Sequence, residues 1–543
     1  MTYLFNANTN ANVVNSITLT ANIQNNNSVV STSNPFPVTG NLNVTSGTVK
    51  LDLGATGKSA FGELSTTTIT PIVQLDSIYG IDEHDFTTNA VGTGASANTD
   101  TYSNLFKVQS GTSSTGDAVL LSRKFLKYRP GQGALARFTA AFTNGVVNST
   151  QQAGFTDTES ALCVGYDGTD FGVVRATGGK VSIYNLAITA APNGTQTATV
   201  TLDGTAFTVT LNAGTTSNAA IQIATRSGGY TGWMVEQLDN AVIFRNNDTK
   251  VTPGTFSFSS SGNATGTFTV VQAGVAQTEF WTKQCDWNVD CLGKANTITN
   301  IMGPNPSGMT LNPDKLNVYQ INFRWLGAGM IGFAIEDDVT GEFIPFHQIH
   351  YTNNNNLPHT LNPSFRVGYS ATNKGSTTNL TVTGASMMMG VEGLINVTKI
   401  TKAVSASATS LSKDDMHHIL SLRNSHTFAK KLNSLSINLK KLSFAFQCTD
   451  PVEIHIFINE TPNIPLVYTS FPNGCGIKSV TAATFNSGIT TPIAIFQVGI
   501  NGQDVVSLTD LGISIPPGDT VSFAVTSAAV ITKVSLSTIW AED

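Results

Sequence analysis

Hydrophobic and polar residues alternate in short runs along most of this chain. Residues 199–211 read Thr-Val-Thr-Leu-Asp-Gly-Thr-Ala-Phe-Thr-Val-Thr-Leu. A period of two is the signature of a half-buried strand, and Asp203-Gly204 supplies the left-handed backbone a tight hairpin turn needs. The same rhythm is cleanest over residues 317–325. There Val318, Gln320, Asn322 and Arg324 share one face, and Tyr319, Ile321, Phe323 and Trp325 share the other. Residues 330–335 and 343–351 extend this into an antiparallel meander, with Pro345 placing the last strand at an edge or a bulge. Apolar runs at 118–121, 134–142 and 161–165 read as buried strands, separated by turns at 129–131, 143–145 and 167–168.

Residues 181–277 read as a small β-rich module inserted into this pattern, because strands of the earlier kind resume after it. The module contains the 199–211 hairpin and one short helix at 217–225, starting at a Ser or Asn cap and followed by Gly228-Gly229. Two more hairpins are expected: one over 233–244, the other joining 255–258 to 267–271. The expected fold is all-β: antiparallel sandwiches or jelly rolls, with residues 51–180 plus 278–395 as the central body and 413–543 as a C-terminal sandwich. The small polar residues at 396–412 read as a linker. Residues 1–50, broken at Asn34-Pro-Phe-Pro37, read as an extended arm ordered against a neighbouring subunit, with a disordered tail as the alternative.

Composition narrows the function. Charged residues are 12% of the 543, against roughly 25% in an ordinary soluble domain, while hydrophobic residues are 40%. The core is therefore intact, and titratable groups for chemistry are sparse. A net charge of −6 argues against a nucleic-acid footprint. The basic residues between Ser412 and Lys441 are interspersed with Asp414 and Asp415 and read as solvated surface. No secretory leader and no membrane-spanning run is expected. Five cysteines do not make a disulfide framework. Cys285 and Cys291 are a candidate local disulfide, with two reduced thiols as the alternative.

Other constellations read as structural. His347 and His350, three apart on a strand, point to opposite faces and cannot share a metal. His417-His418 is expected on a short helix or loop as a solvated cluster. Glu336-Asp337-Asp338 reads as a turn, and Asp157, Glu159, Asp167 and Asp170 are candidates to gather at one rim. No nucleophile elbow, phosphate loop or zinc-protease motif occurs, and no metal or cofactor is expected. Among the aromatic residues, Tyr166, Tyr184 and Trp233 are the candidate glycan contacts, with Trp281 and Trp287 weighed beside them.

Several segments in order carry a resemblance: residues 125–140 (Phe-Leu-Lys-Tyr-Arg-Pro-Gly-Gln-Gly-Ala-Leu-Ala-Arg-Phe-Thr-Ala), 152–159, Gly165-Tyr-Asp-Gly168, 307–313 and 317–351, then Pro517-Gly-Asp519 and the final Trp540-Ala-Glu-Asp543. This order resembles a family of virion structural proteins from giant DNA viruses of the algal-virus and mimivirus-like kind, with phage-type structural relatives. The resemblance spans most of residues 75–543 and departs at Cys285 and Cys291. It implies a virion component, assembled in the host cytoplasm. A fibre, spike or capsid-decorating role is expected, as a homotrimer among other capsid proteins. It carries no catalytic residue over, and the protein is expected not to be an enzyme. A carbohydrate-binding attachment protein contacting host-surface glycan is the alternative; a glycan-degrading enzyme is the lesser one.

Overall fold

The computed structural model describes residues 68–295, 303–395, 401–460, 462–471, 474–481, 483–485 and 491–543, and the backbone of Gln24–Asn25 and Ser28–Val29, which pair antiparallel. The rest of the arm expected over 1–50 lies outside the described residues. The fold is all-β and multidomain, and its strand ladders are antiparallel.

Two sheets form the central body. The long strand Ala134–Phe142 lies in the middle of one of them, with Asn317–Phe323 on one flank and Ser386–Glu392 and Thr381–Gly384 on the other. The facing sheet runs in the order Thr278–Lys283, Asp170–Thr177, Ser160–Asp167, Ser149–Asp157, Arg366–Asn373, Asp117–Ser122 and Phe86–Val91. Their inward residues build one core. Tyr319, Ile321 and Phe323 are wholly buried, and the Phe323 ring meets Phe155 of the other sheet edge-on at 5.3 Å. Burying side chains of this size contributes about 1.5–3 kcal/mol each. On the opposite face of the same strand, Gln320 accepts a hydrogen bond from Arg137 Nε at 2.7 Å.

The meander continues through Ile331–Glu336 to Phe343–Ile349, the edge of its sheet. Pro345 sits where the register slips between Phe333 and Ala334, so it occupies an edge and a bulge at once. The acidic run turns the hairpin: Asp337 Oδ1 accepts from Val339 N at 2.8 Å, and Asp337 N donates to Glu342 O at 2.8 Å.

The chain leaves the second sheet at Thr177 and returns at Thr278, directly opposite in register. Between these points lie two small sheets and the helix Thr216–Ala224 around their own core. Thr215 caps the helix, accepting from Asn218 N at 3.1 Å, two residues before Ser217, the first of the caps expected. The expected hairpin between 255–258 and 267–271 does not form. Ser257–Ser260 pairs with Gln196–Leu202, whereas Thr265–Gln272 pairs with Ile183–Ala190 in the other sheet. The chain passes there from one sheet of the module to the other.

In the C-terminal sandwich, the segment read as a linker is a strand where it is described. Thr401–Leu411 pairs along its length with the final strand, Ile531–Glu542. Val404, Ala406 and Leu411 point inward; the outward residues are small and polar, which made the segment read as a spacer. His417–Asn424 is likewise a strand, not a helix or loop, and both of its histidines are buried.

Candidate functional site

The three aromatic residues proposed as glycan contacts are core residues. Tyr166 packs edge-on against Phe171 at 5.1 Å in the central body. Tyr184 and Trp233 do come together, at 6.0 Å, but inside the inserted module, where Phe256 stacks on Tyr184 at 3.7 Å. None offers a free ring face, because strand alternation turned each inward. Trp287 is also buried, and half-buried Trp281 donates to Glu279 Oε2 at 2.9 Å.

Cys285 and Cys291 are free thiols. Buried Cys291 directs its thiol at the Cys285 carbonyl oxygen, 3.4 Å away. Burial, and then neighbouring acids, raise the pKa of both thiols. The four acids expected at one rim are split between two ends of the sheet. Asp157 and Glu159 flank the turn between Ser149–Asp157 and Ser160–Asp167, while Asp167 and Asp170 flank the turn at the other end of Ser160–Asp167. His347 is buried and accepts from Asn288 N at 3.4 Å; desolvation, then His350, lower its pKa to about 4. Among the described residues no group of three or more His, Cys, Asp or Glu is placed to hold a metal.

The densest polar constellation joins the central body, the module and the C-terminal sandwich. Arg123, just after Asp117–Ser122, grips Asp519 with both forks of its guanidinium, Nε to Oδ2 at 2.6 Å and Nη2 to Oδ1. Arg129 pairs with Asp543 at 2.8 Å. Glu236, on the module strand Trp233–Leu238, accepts from Ser425 Oγ at 2.7 Å and His426 N at 3.2 Å. Gln237 then exchanges two amide bonds with the Tyr468 backbone, at 2.7 and 3.2 Å. Burial raises the Glu236 pKa, opposed by Arg423, Ser425, His426 and Arg245. Burial lowers Arg245 to about 10, against the opposing pull of Asp157. Beside this joint lies a cavity of about 390 Å³ lined by Ile221, Val235, Arg423, Ile464, Leu466 and Tyr468. Arg423 lies 4.0 Å over the Tyr468 ring and donates to Thr520 Oγ1 at 3.0 Å. Arg123 and Arg129 are paired with carboxylates of the C-terminal sandwich, and Glu236 is bonded to Ser425 and His426 there, so the arrangement is suited to fixing three bodies in place.

Sequence reasoning passed over the two tyrosines that, among the described residues, do stand in solvent, Tyr79 at 98% and Tyr102 at 97% exposure. A signal was present: Asp76-Ser-Ile-Tyr-Gly80 and Asp100-Thr-Tyr-Ser-Asn104 are turn sequences, so neither tyrosine has an alternating strand to carry it inward.

No family model matches this chain. No curated protein matches it either. Among solved structures it aligns with lectin II from Ulex europaeus at 9% identity and a TM-score of 0.23, over 60% of this chain and 100% of that chain. A triple-jelly-roll protein of the turret assembly of an archaeal virus aligns at 10% identity and a TM-score of 0.14, over 85% and 90%. The Faustovirus major capsid protein aligns at 9% identity and a TM-score of 0.11, over 87% and 92%.

Proposed function

We propose that this chain is a structural protein of a virus particle, acting by binding and assembly and not by catalysis. Its expected place is a fibre, spike or capsid-decorating position, beside other capsid proteins, as a homotrimer assembled in the host cytoplasm. The sequence resemblance motivates this reading. The observation that carries it is the buried joint of Arg123–Asp519, Arg129–Asp543 and Glu236–Ser425, which locks sheet-built bodies into one piece. A particle surface calls for that rigidity, and symmetric assembly covers the strand edges left open. Gold-labelled antibody on intact particles, viewed by electron microscopy, is expected to decorate the particle surface. Unlabelled particles would overturn the reading, and a monomer by light scattering at every concentration would overturn the homotrimer.

Attachment to host-surface glycan is the second reading. The exposed pair Tyr79 and Tyr102 favours it, in place of the three buried aromatic residues first considered.

A further inference from the structure

We propose that Tyr79 and Tyr102 form a binding site for a neutral saccharide at one end of the central sandwich. The inference rests on the glycan-attachment reading and gives it a location and a ligand class.

The two rings belong to one surface. Tyr79 lies in the turn after Ile69–Asp76, closed by Gly80 N donating to Ser77 O at 3.3 Å. Tyr102 is at the tip of the loop between Ser96–Thr99 and Phe106–Gln109. Buried Ser77 ties the two loops: its Oγ sits between the Asn104 carbonyl and the Ala385 carbonyl, 2.9 Å from the latter, and its N donates to Ala385 O at 3.1 Å. Each tyrosine is two residues from that tie. At about 3.6 Å of reach per residue, both stay on the same end of the sandwich.

The loops are held in shape before any ligand arrives. Asp76 Oδ1 accepts from Ile78 N at 3.0 Å, Asp100 Oδ2 from Ser103 N at 3.2 Å, and Asn104 N donates to Asp100 O at 2.9 Å. Two rigid, amphipathic rings with little rotamer entropy to lose are what a recognition surface uses. Exposed apolar side chains grouped in this way, with Ile78 at 60% beside them, mark a contact site.

The surroundings choose the ligand. Asp76, Asp82, Glu83 and Asp85 lie within six residues of Tyr79 along the chain, and Asp100 lies two residues before Tyr102. Of the nearby cations, Lys107 acts on Asp100, and Arg123 is committed to Asp519 and the Glu83 carbonyl. An acidic rim repels sulfated or carboxylated chains and leaves carboxylate oxygens to accept sugar hydroxyls. The rings are almost fully exposed, so they do not wall a cage around a cation; each presents a flat face to the C–H face of a sugar ring.

The test is titration calorimetry of the full chain with linear hexasaccharides of glucose, galactose, mannose and N-acetylglucosamine, with a heparin hexasaccharide and a Lys-rich peptide alongside. At least one neutral hexasaccharide is expected to bind and heparin is not. Tyr79→Ala and Tyr102→Ala each weaken binding about tenfold, and the double variant abolishes it. Tyr→Phe at either position keeps binding, and the melting temperature stays put because neither ring is packed. Binding that survives the double substitution would overturn this site while leaving glycan attachment standing. Binding of heparin alone would overturn this site while leaving glycan attachment standing, and no binding to any saccharide would remove both. Retention of the Lys-rich peptide alone would overturn the site in favour of a protein-docking patch.

Discussion

Glu236 shows how one side chain can hold a domain joint. Its carboxylate is buried and bonded to Ser425 and His426 on another body. Removing the carboxylate leaves the buried Ser425 hydroxyl and the His426 amide without their acceptor, which costs about 1–3 kcal/mol. Glu236→Ala is therefore expected to lower the urea midpoint sharply, and Glu236→Gln less so. Four histidines with lowered pKa values predict acid lability. Burial lowers His347, His359 and His418 to about 4; burial together with Arg245, Arg423 and Arg123 lowers His426 to about 3. Below pH about 6.5 the unfolded chain binds protons that the folded chain refuses, so stability falls as pH drops toward 4 and the loss levels off below about 3. A displacement of this size corresponds to on the order of 3 kcal/mol for each histidine. Glu236 runs the other way, since its raised pKa lets the folded chain take up a proton first. The urea midpoint measured at pH 7.5, 6 and 4.5 is expected to fall; a flat profile would contradict the burial of these rings.

At the scale of elements, alternation identified strands where outward residues were large enough to mark the period, and partners only where strands were contiguous. The 199–211 hairpin is legible because its turn and both strands are contiguous, and it forms as Gln196–Leu202 with Thr205–Leu211. Ser257–Ser260 and Thr265–Gln272 look like a hairpin too, yet they enter opposite sheets. Thr401–Leu411 was hidden by its small outward residues. Its identity as a strand predicts that trypsin leaves the bond after Lys402 uncut in the native protein, because Lys402 sits in the ladder and its Nζ meets Glu542 at 2.6 Å. Peptides over 401–411 are also expected to exchange deuterium slowly. Rapid cleavage and exchange there would restore the linker.

For the whole molecule, the question is whether central body, module and C-terminal sandwich unfold together. The bidentate Arg123–Asp519 pair and the Arg129–Asp543 pair are only partly accessible to solvent, so they are stronger than exposed ion pairs. Calorimetry of the native chain is expected to show one dominant transition. In Arg123→Ala/Arg129→Ala that transition is expected to separate into at least two, since each body keeps its own core. A single, uniformly shifted transition would mean that the cores, and not these pairs, couple the bodies.

The sequence alone determined the local structure of this protein: two-residue periodicity and turn residues make it all-β, with one capped helical stretch. Tertiary structure decided what joins what. Arg123 and Asp519 lie 396 residues apart and Glu236 and Ser425 189, and no local pattern encodes such a meeting. It also decided which aromatic residues see water. A ring's burial depends on which face of its strand meets another sheet, and only the assembled sandwich shows that Tyr166, Tyr184 and Trp233 turn inward while Tyr79 and Tyr102 have no sheet to turn toward.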